Sequence, residues 1–198
     1  LLNSMCFRTD DELVISAVSL NDVELRANIY RIGHYGGVGS RRIVNLGRKE
    51  IRGERSRFES LNSEDILLDP IFSTKLGGEF PPGTYVVNVG DGENSVSLPF
   101  WIFGEGDIIA VVPTIASSFR QFPNGSKERS AIFTNGMESL SGRKITGNVN
   151  FVFSNGRGGE ITKWIFPFCR WAEKNNISVS WITDIELDRR PEEIHNFE

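Results

Sequence analysis

The chain has 198 residues, 39% hydrophobic and 24% charged, with a formal net charge of −4. That is the composition of a soluble globular protein of one large or two small domains. No apolar run approaches the ~20 residues of a membrane-spanning helix, and no basic excess marks a nucleic-acid surface.

Leu1 and Leu2 open the chain without an initiator Met or a basic-then-apolar leader, so the start reads as a cut and the compartment stays open. Residues 12–19, 23–32, 42–46, 84–89 and 95–103 have strand length and are rich in β-branched or aromatic side chains. In the second of these, Val23, Leu25, Ala27 and Ile29 alternate onto one face. Asp91-Gly92 separates the last two as a hairpin turn. Tyr85 follows Pro82-Gly83 at the start of the penultimate strand, where immunoglobulin-like sandwiches carry a corner tyrosine bonded to nearby backbone. An immunoglobulin-like antiparallel β-sandwich over residues 1–103 is the economical expectation.

Between the second and third strands the chain reads IYRIGHYGGVGSRR, residues 29–42. Gly36, Gly37 and Gly39 lead into another strand. A phosphate cradle needs a helix N-terminus there, so a wide turn with glycines at positive φ is expected. Beyond it, Arg41, Arg42, Arg48, Lys49, Arg52, Arg55 and Arg57 alternate with Glu50, Glu54 and Glu59 without interleaved aromatics. That pattern is a solvated face, with no stacking platform for a nucleic acid.

After Gly104 the grammar changes. Residues 107–112 form an uninterrupted apolar strand, as in sheets covered on both faces. Ile161, Trp164, Ile165, Phe168, Trp171 and Ala172 then recur at helical spacing, and residues 177–182 supply the next strand. Pro167 cannot donate within a helix, so the regular helix starts there after a looser turn, or kinks. The two strands are expected to be parallel neighbours joined through that helix. The crossover, residues 114–159, is unusually long, and residues 148–153 read as one further strand within it. A short helical piece begins at Pro191. Two or three strands cannot complete a doubly wound sheet, so residues 104–198 read as the front part of an incomplete α/β domain.

Isolated chemistry-bearing residues form no strong constellation. Cys6 and Cys169 lack a CxxC or CxxH pattern, which supports neither a structural zinc nor a disulfide and leaves two buried thiols. His34 and His195 have no adjacent nucleophile motif. Asp184, Glu186 and Asp188 alternate after a strand end, near the crevice where open α/β sheets bind ligands. Asp184 and Glu186 are weak candidates for a hard cation, since no further oxygen donors complete the set, and helix capping is the more economical reading. Asn124-Gly125-Ser126 and Asn176-Ile177-Ser178 match glycosylation sequons, which matter only in a eukaryotic secretory protein.

The segment IYRIGHYGGVGSRR resembles the glycine- and tyrosine-bearing segment of the N,N-dimethylformamidase large (beta) subunit family. The order that follows, PPGTY, FWIF, DIIAVVPT, WITDIEL and RRPEEIHNF, is similar to that family's as well. The resemblance implies a glutamine-amidotransferase-like α/β domain and hydrolysis of a carbon–nitrogen bond in small N-alkylated amides. It also implies an iron held by two tyrosines and a glutamate, polarising a carbonyl and activating water. The glutamate motif is expected beyond Glu198. Where the family's tyrosines are expected, this chain has Phe119 in PTIASSFRQF and Phe151 and Phe153 in NVNFVFSNG, with no phenolate to offer. No cofactor is therefore expected in this chain, and whether it is an enzyme stays open. Thr114, Ser118 and Asp184 are the residues placed nearest a crevice, with no chemical step assigned. The partners implied are a small-molecule amide and either a small subunit or a second copy. The alternative is a non-catalytic, surface-associated saccharide- or protein-binding protein with a degenerate α/β part.

Overall fold

The computed structural model describes residues 2–54, 68–113 and 161–196. Its strands are β1 (Cys6–Phe7), β2 (Glu12–Ser16), β3 (Val23–Ile32), β4 (Ser40–Ile51), β5 (Pro70–Lys75), β6 (Gly83–Gly90), β7 (Ser95–Ile102), β8 (Ile108–Val112) and β9 (Val179–Thr183). The helices are α1 (Phe166–Lys174) and α2 (Asp184–Arg189), followed by a 3-10 helix at Pro191–Asn196.

A five-stranded sheet runs in the order β1-β7-β6-β3-β4, and β2 pairs with β5 in a separate two-stranded sheet. Between them lies a core of alternating side chains. Leu13, Ile15 and Phe72 from the small sheet meet Ala27, Ile29, Tyr85, Val87 and Phe100 from the large one. This is a β-sandwich with the period-two burial that β3 and β6 encode. One expectation is corrected. The large sheet is mixed, because β1 pairs with β7 in parallel. Phe7 thereby reaches the core and stacks edge-on to Phe100 at 5.6 Å between centroids.

Tyr85 is fully buried, stacks on Phe100 at 5.1 Å, and donates its hydroxyl proton to the Pro81 carbonyl at 2.5 Å. The β6–β7 hairpin turns at Asp91, whose Oδ1 accepts from the backbone N–H groups of Glu93 and Asn94. Strand β4 is far longer than residues 42–46. It is the outer strand of its sheet, and its charged residues hide the apolar alternation that sequence reading depends on. Those charges also blunt a sheet edge. Gly47, at φ +85°, sits where the β3–β4 register slips, as a bulge requires.

The second unit is small. β8 and β9 are parallel neighbours, with Ala110 opposite Trp181 and Val112 opposite Thr183. Ahead of α1 runs a π-helical turn, Ile161–Ile165, and Pro167 falls in the first turn of α1, where a missing N–H costs nothing. Burial in this unit is partial. Cys169 and Ala172 form the buried side of α1, whereas Trp164 is 60% and Trp171 51% exposed. Likewise Ile108 and Val111 of β8 are exposed, so β8 is not covered on both faces by the described residues. The 148–153 strand expectation, the Asn124 sequon, Arg55, Arg57, Glu59 and the His195 side chain lie outside the described part.

A second apolar cluster joins the two units. Met5, Ile32 and Trp101 from the sandwich pack with Val112, Cys169 and Trp181. The large sheet thus buries side chains on both faces at its β7–β6–β3 end. That seam fixes the position of α1 against the turn after β3.

Candidate functional site

Two places gather chemistry. The first is the C-terminal edge of β8 and β9. There Thr183 caps α2, its hydroxyl oxygen accepting from the Glu186 N–H at 3.2 Å. Asp184 begins the helix and its Oδ1 accepts from the Ile185 N–H at 3.0 Å. Glu186 faces Arg189 at 2.7 Å and Arg190 at 3.6 Å. These acids serve a helix N-terminus and local ion pairs, and among the described residues no group of three or more His, Cys, Asp or Glu side chains could hold a metal. Thr114, Ser118, Phe119, Phe151 and Phe153 lie outside the described residues, and of the crevice candidates Asp184 is the one among the described residues.

The second place is the seam between β3 and α1, which sequence reading did not single out. The turn after β3 is a 3-10 turn at Tyr35–Gly37, with Gly36, Gly37 and Gly39 all at positive φ. It ends in strand β4, as expected of a turn that cradles no phosphate. Its backbone is held by α1. The Glu173 carboxylate accepts from the His34 N–H at 2.8 Å and pairs with Arg31 at 2.5 Å. Arg31 also donates to the Tyr35 hydroxyl at 2.9 Å and reaches the Pro82 carbonyl at 3.4 Å. One turn earlier on the helix, Arg170 donates to the Gly37 carbonyl at 2.9 Å. The buried Cys169 thiol donates to the Ile32 carbonyl at 3.5 Å.

The glycines explain the fit. A Cβ on Gly33 would come within 2.1 Å of the Glu173 carboxylate oxygen, and one on Gly39 within 3.1 Å of the Arg170 guanidinium. The Glu173 carboxylate and the Arg170 guanidinium thus take the space that a Cβ would fill, and a side chain at either glycine would have to displace them. The available signal was the glycine density, but its partner, Glu173, lies far along the chain.

Protonation at the seam follows from burial. Desolvation works against the Arg31 charge, but the Tyr35 hydroxyl and Glu173 outweigh it and hold its pKa above the ordinary value. Burial pushes the Tyr85 phenol well above its usual range, with the nearby Arg31 charge acting the other way. Burial likewise raises the Cys169 thiol to about 11; the Thr84 hydroxyl works in the opposite sense, although it makes no full hydrogen bond to a described residue. Cys6, near the Trp181 carbonyl, rises to about 11 for the same leading reason. Both are free thiols, and Cys6 is only half-buried. Neutral thiols of this kind are poor nucleophiles.

Residues 26–198 match the model of the family described as "N,N-dimethylformamidase beta subunit-like, C-terminal". The chain belongs to that family. No curated protein matches it. Among solved structures, it is similar to a 1.4 Å crystal structure of an uncharacterized protein from Bacillus anthracis str. Ames. That similarity has a TM-score of 0.31 and 21% identity, and covers 51% of this chain and 78% of the other. For this dimethylformamidase-like chain, the three tyrosines can be checked against the ligand set the resemblance implied. Tyr85 is committed to Pro81 and Tyr35 to Arg31, while Tyr30 lies on β3. None stands at the ends of β8 or β9, so the described residues do not fit an iron held by two tyrosines and a glutamate. No helix among the described residues is long and apolar enough to cross a membrane, which says nothing of β-barrels.

Proposed function

We infer that this chain is part of a dimethylformamidase-like amide hydrolase and is inactive by itself. The family match over residues 26–198 carries the reading. In this reading residues 1–103 are an immunoglobulin-like sandwich, and residues 104–198 begin a glutamine-amidotransferase-like α/β domain. The buried, backbone-bonded Tyr85 supports the first. The parallel β8–β9 pair with α1 supports the second. The substrate class is a small amide, bound at the β8–β9 edge near Thr114, Ser118 and Asp184, where open α/β sheets take ligands.

A second reading, a non-catalytic binding protein, draws on a cleft of about 540 Å³ at one end of the sandwich. Its lining includes Val23, Leu25, Ile51, Val96 and Leu98. Aliphatic walls suit an apolar protein segment better than a saccharide.

Two measurements on the purified 198-residue chain test these readings. Metal analysis with an amine-release assay on dimethylformamide is expected to give no stoichiometric iron and no turnover. Tightly held iron with turnover would place the ligands elsewhere and overturn the inactivity. NMR titration with dimethylformamide is expected to shift the backbone amides of Val112, Thr114 and residues 183–186. Absence of shifts there at high amide concentration favours the binding protein.

A further inference from the structure

The aliphatic cleft at the end of the sandwich has a structural cause. The small sheet is built of five- and six-residue strands, whereas β3, β4, β6 and β7 run for 8 to 12 residues. At one end the inner face of the large sheet therefore reaches past its cover. Val23, Leu25, Ile51, Val89, Val96 and Leu98 line the cleft there, about 540 Å³ in volume, a size that suits a small molecule. Val89 and Leu98 also belong to the core between the sheets, so the cleft continues that core outward to Val96, which is exposed.

Among the described residues its lining holds no aromatic ring, so nothing there stacks on a sugar or a base. β3 and β6 are each hydrogen-bonded to a strand on both sides. The wall thus offers side chains and no free strand edge, and the N–H and C=O groups of an inserted polypeptide would be buried without partners. Asp91 is the single charged residue in that described lining. Its Oδ1 accepts from the Asn94 and Glu93 N–H groups, which hold its pKa below the ordinary value and keep it a carboxylate.

We propose that this cleft binds a linear alkylammonium, its hydrocarbon chain between the sheets and its cationic head at Asp91. The head stays in water beside the carboxylate, so no charge is buried. This goes beyond the second reading above, which places a protein segment in the same cleft.

Titration of the 198-residue chain with octylammonium chloride, followed by methyl NMR, tests it. Saturable shifts are expected at Leu25, Val96 and Leu98, and hexylammonium, two CH₂ groups shorter, should bind on the order of tenfold more weakly. Octanoate, of equal length and opposite charge, should bind more weakly than octylammonium. Asp91→Asn keeps an Oδ1 that can accept both turn N–H groups and removes the charge. Octylammonium should then bind roughly two- to fivefold more weakly, and its advantage over octanoate should close. Val96→Trp blocks the mouth and should abolish the shifts at Leu25 and Leu98. Shifts that never saturate, octanoate binding as tightly as octylammonium, or an unchanged advantage in Asp91→Asn overturns the proposal.

Discussion

Tyr85 and Glu173 are both polar groups buried at least in part, but their one-dimensional signals differ. Tyr85 was legible because a Pro-Gly pair before a strand places a tyrosine at a corner. The structure finds its hydroxyl on the Pro81 carbonyl. Tyr85→Phe removes that bond while keeping the ring stack. The Pro81 carbonyl then loses that donor, and the expected cost is on the order of 1 kcal/mol in urea unfolding. Glu173 gave no such signal, since nothing in its neighbourhood distinguishes it from Lys174 beside it. What separates them is the direction each takes from α1, and only the fold sets that direction.

At the scale of elements, strand β3 falls at residues 23–32, as its alternation foretold. The break at Pro167 also resolves as expected, with the irregular turn before it and the helix after. β5 was missed because PIFSTK is short and opens on a proline, which demotes a run as a strand. β4 was shortened because its edge position replaces apolar alternation with charge. Helix α1 was found from its apolar spacing, but spacing groups Trp164, Phe168 and Trp171 without saying which flank of that stripe meets the sheet. The acids after β9 read more economically as a helix start than as a cation site, and Thr183 now gives that start a cap. Thr183→Ala should therefore cost about 0.5–1 kcal/mol and fray α2, measured as loss of amide protection at Glu186 with β9 unchanged.

Across the whole molecule, the seam is where sandwich and β8–β9 unit meet, and two desolvated thiols there couple its stability to alkaline pH. Cys6 and Cys169 rise from an ordinary 9.0 to about 11 in the folded state. The folded form thus keeps protons that the unfolded form releases. Stability from this source is complete below pH 9 and falls as pH rises from about 9 to about 11, by on the order of 2 kcal/mol per thiol. A Cys6→Ala/Cys169→Ala variant should show a flatter loss of Tm across that window. An unchanged slope would mean that the thiols do not carry it.

The central claim is that the glycine-dense segment, which lies within the family match over residues 26–198, is a dock for α1, closed by Arg31 and Glu173. A double-mutant cycle of Arg31→Met and Glu173→Gln, read by urea unfolding, tests it most directly. Both side chains are under a third exposed, so a coupling of about 1–3 kcal/mol is predicted, with α1 losing amide protection in each single variant. Additive effects, with α1 protection untouched, would contradict the account.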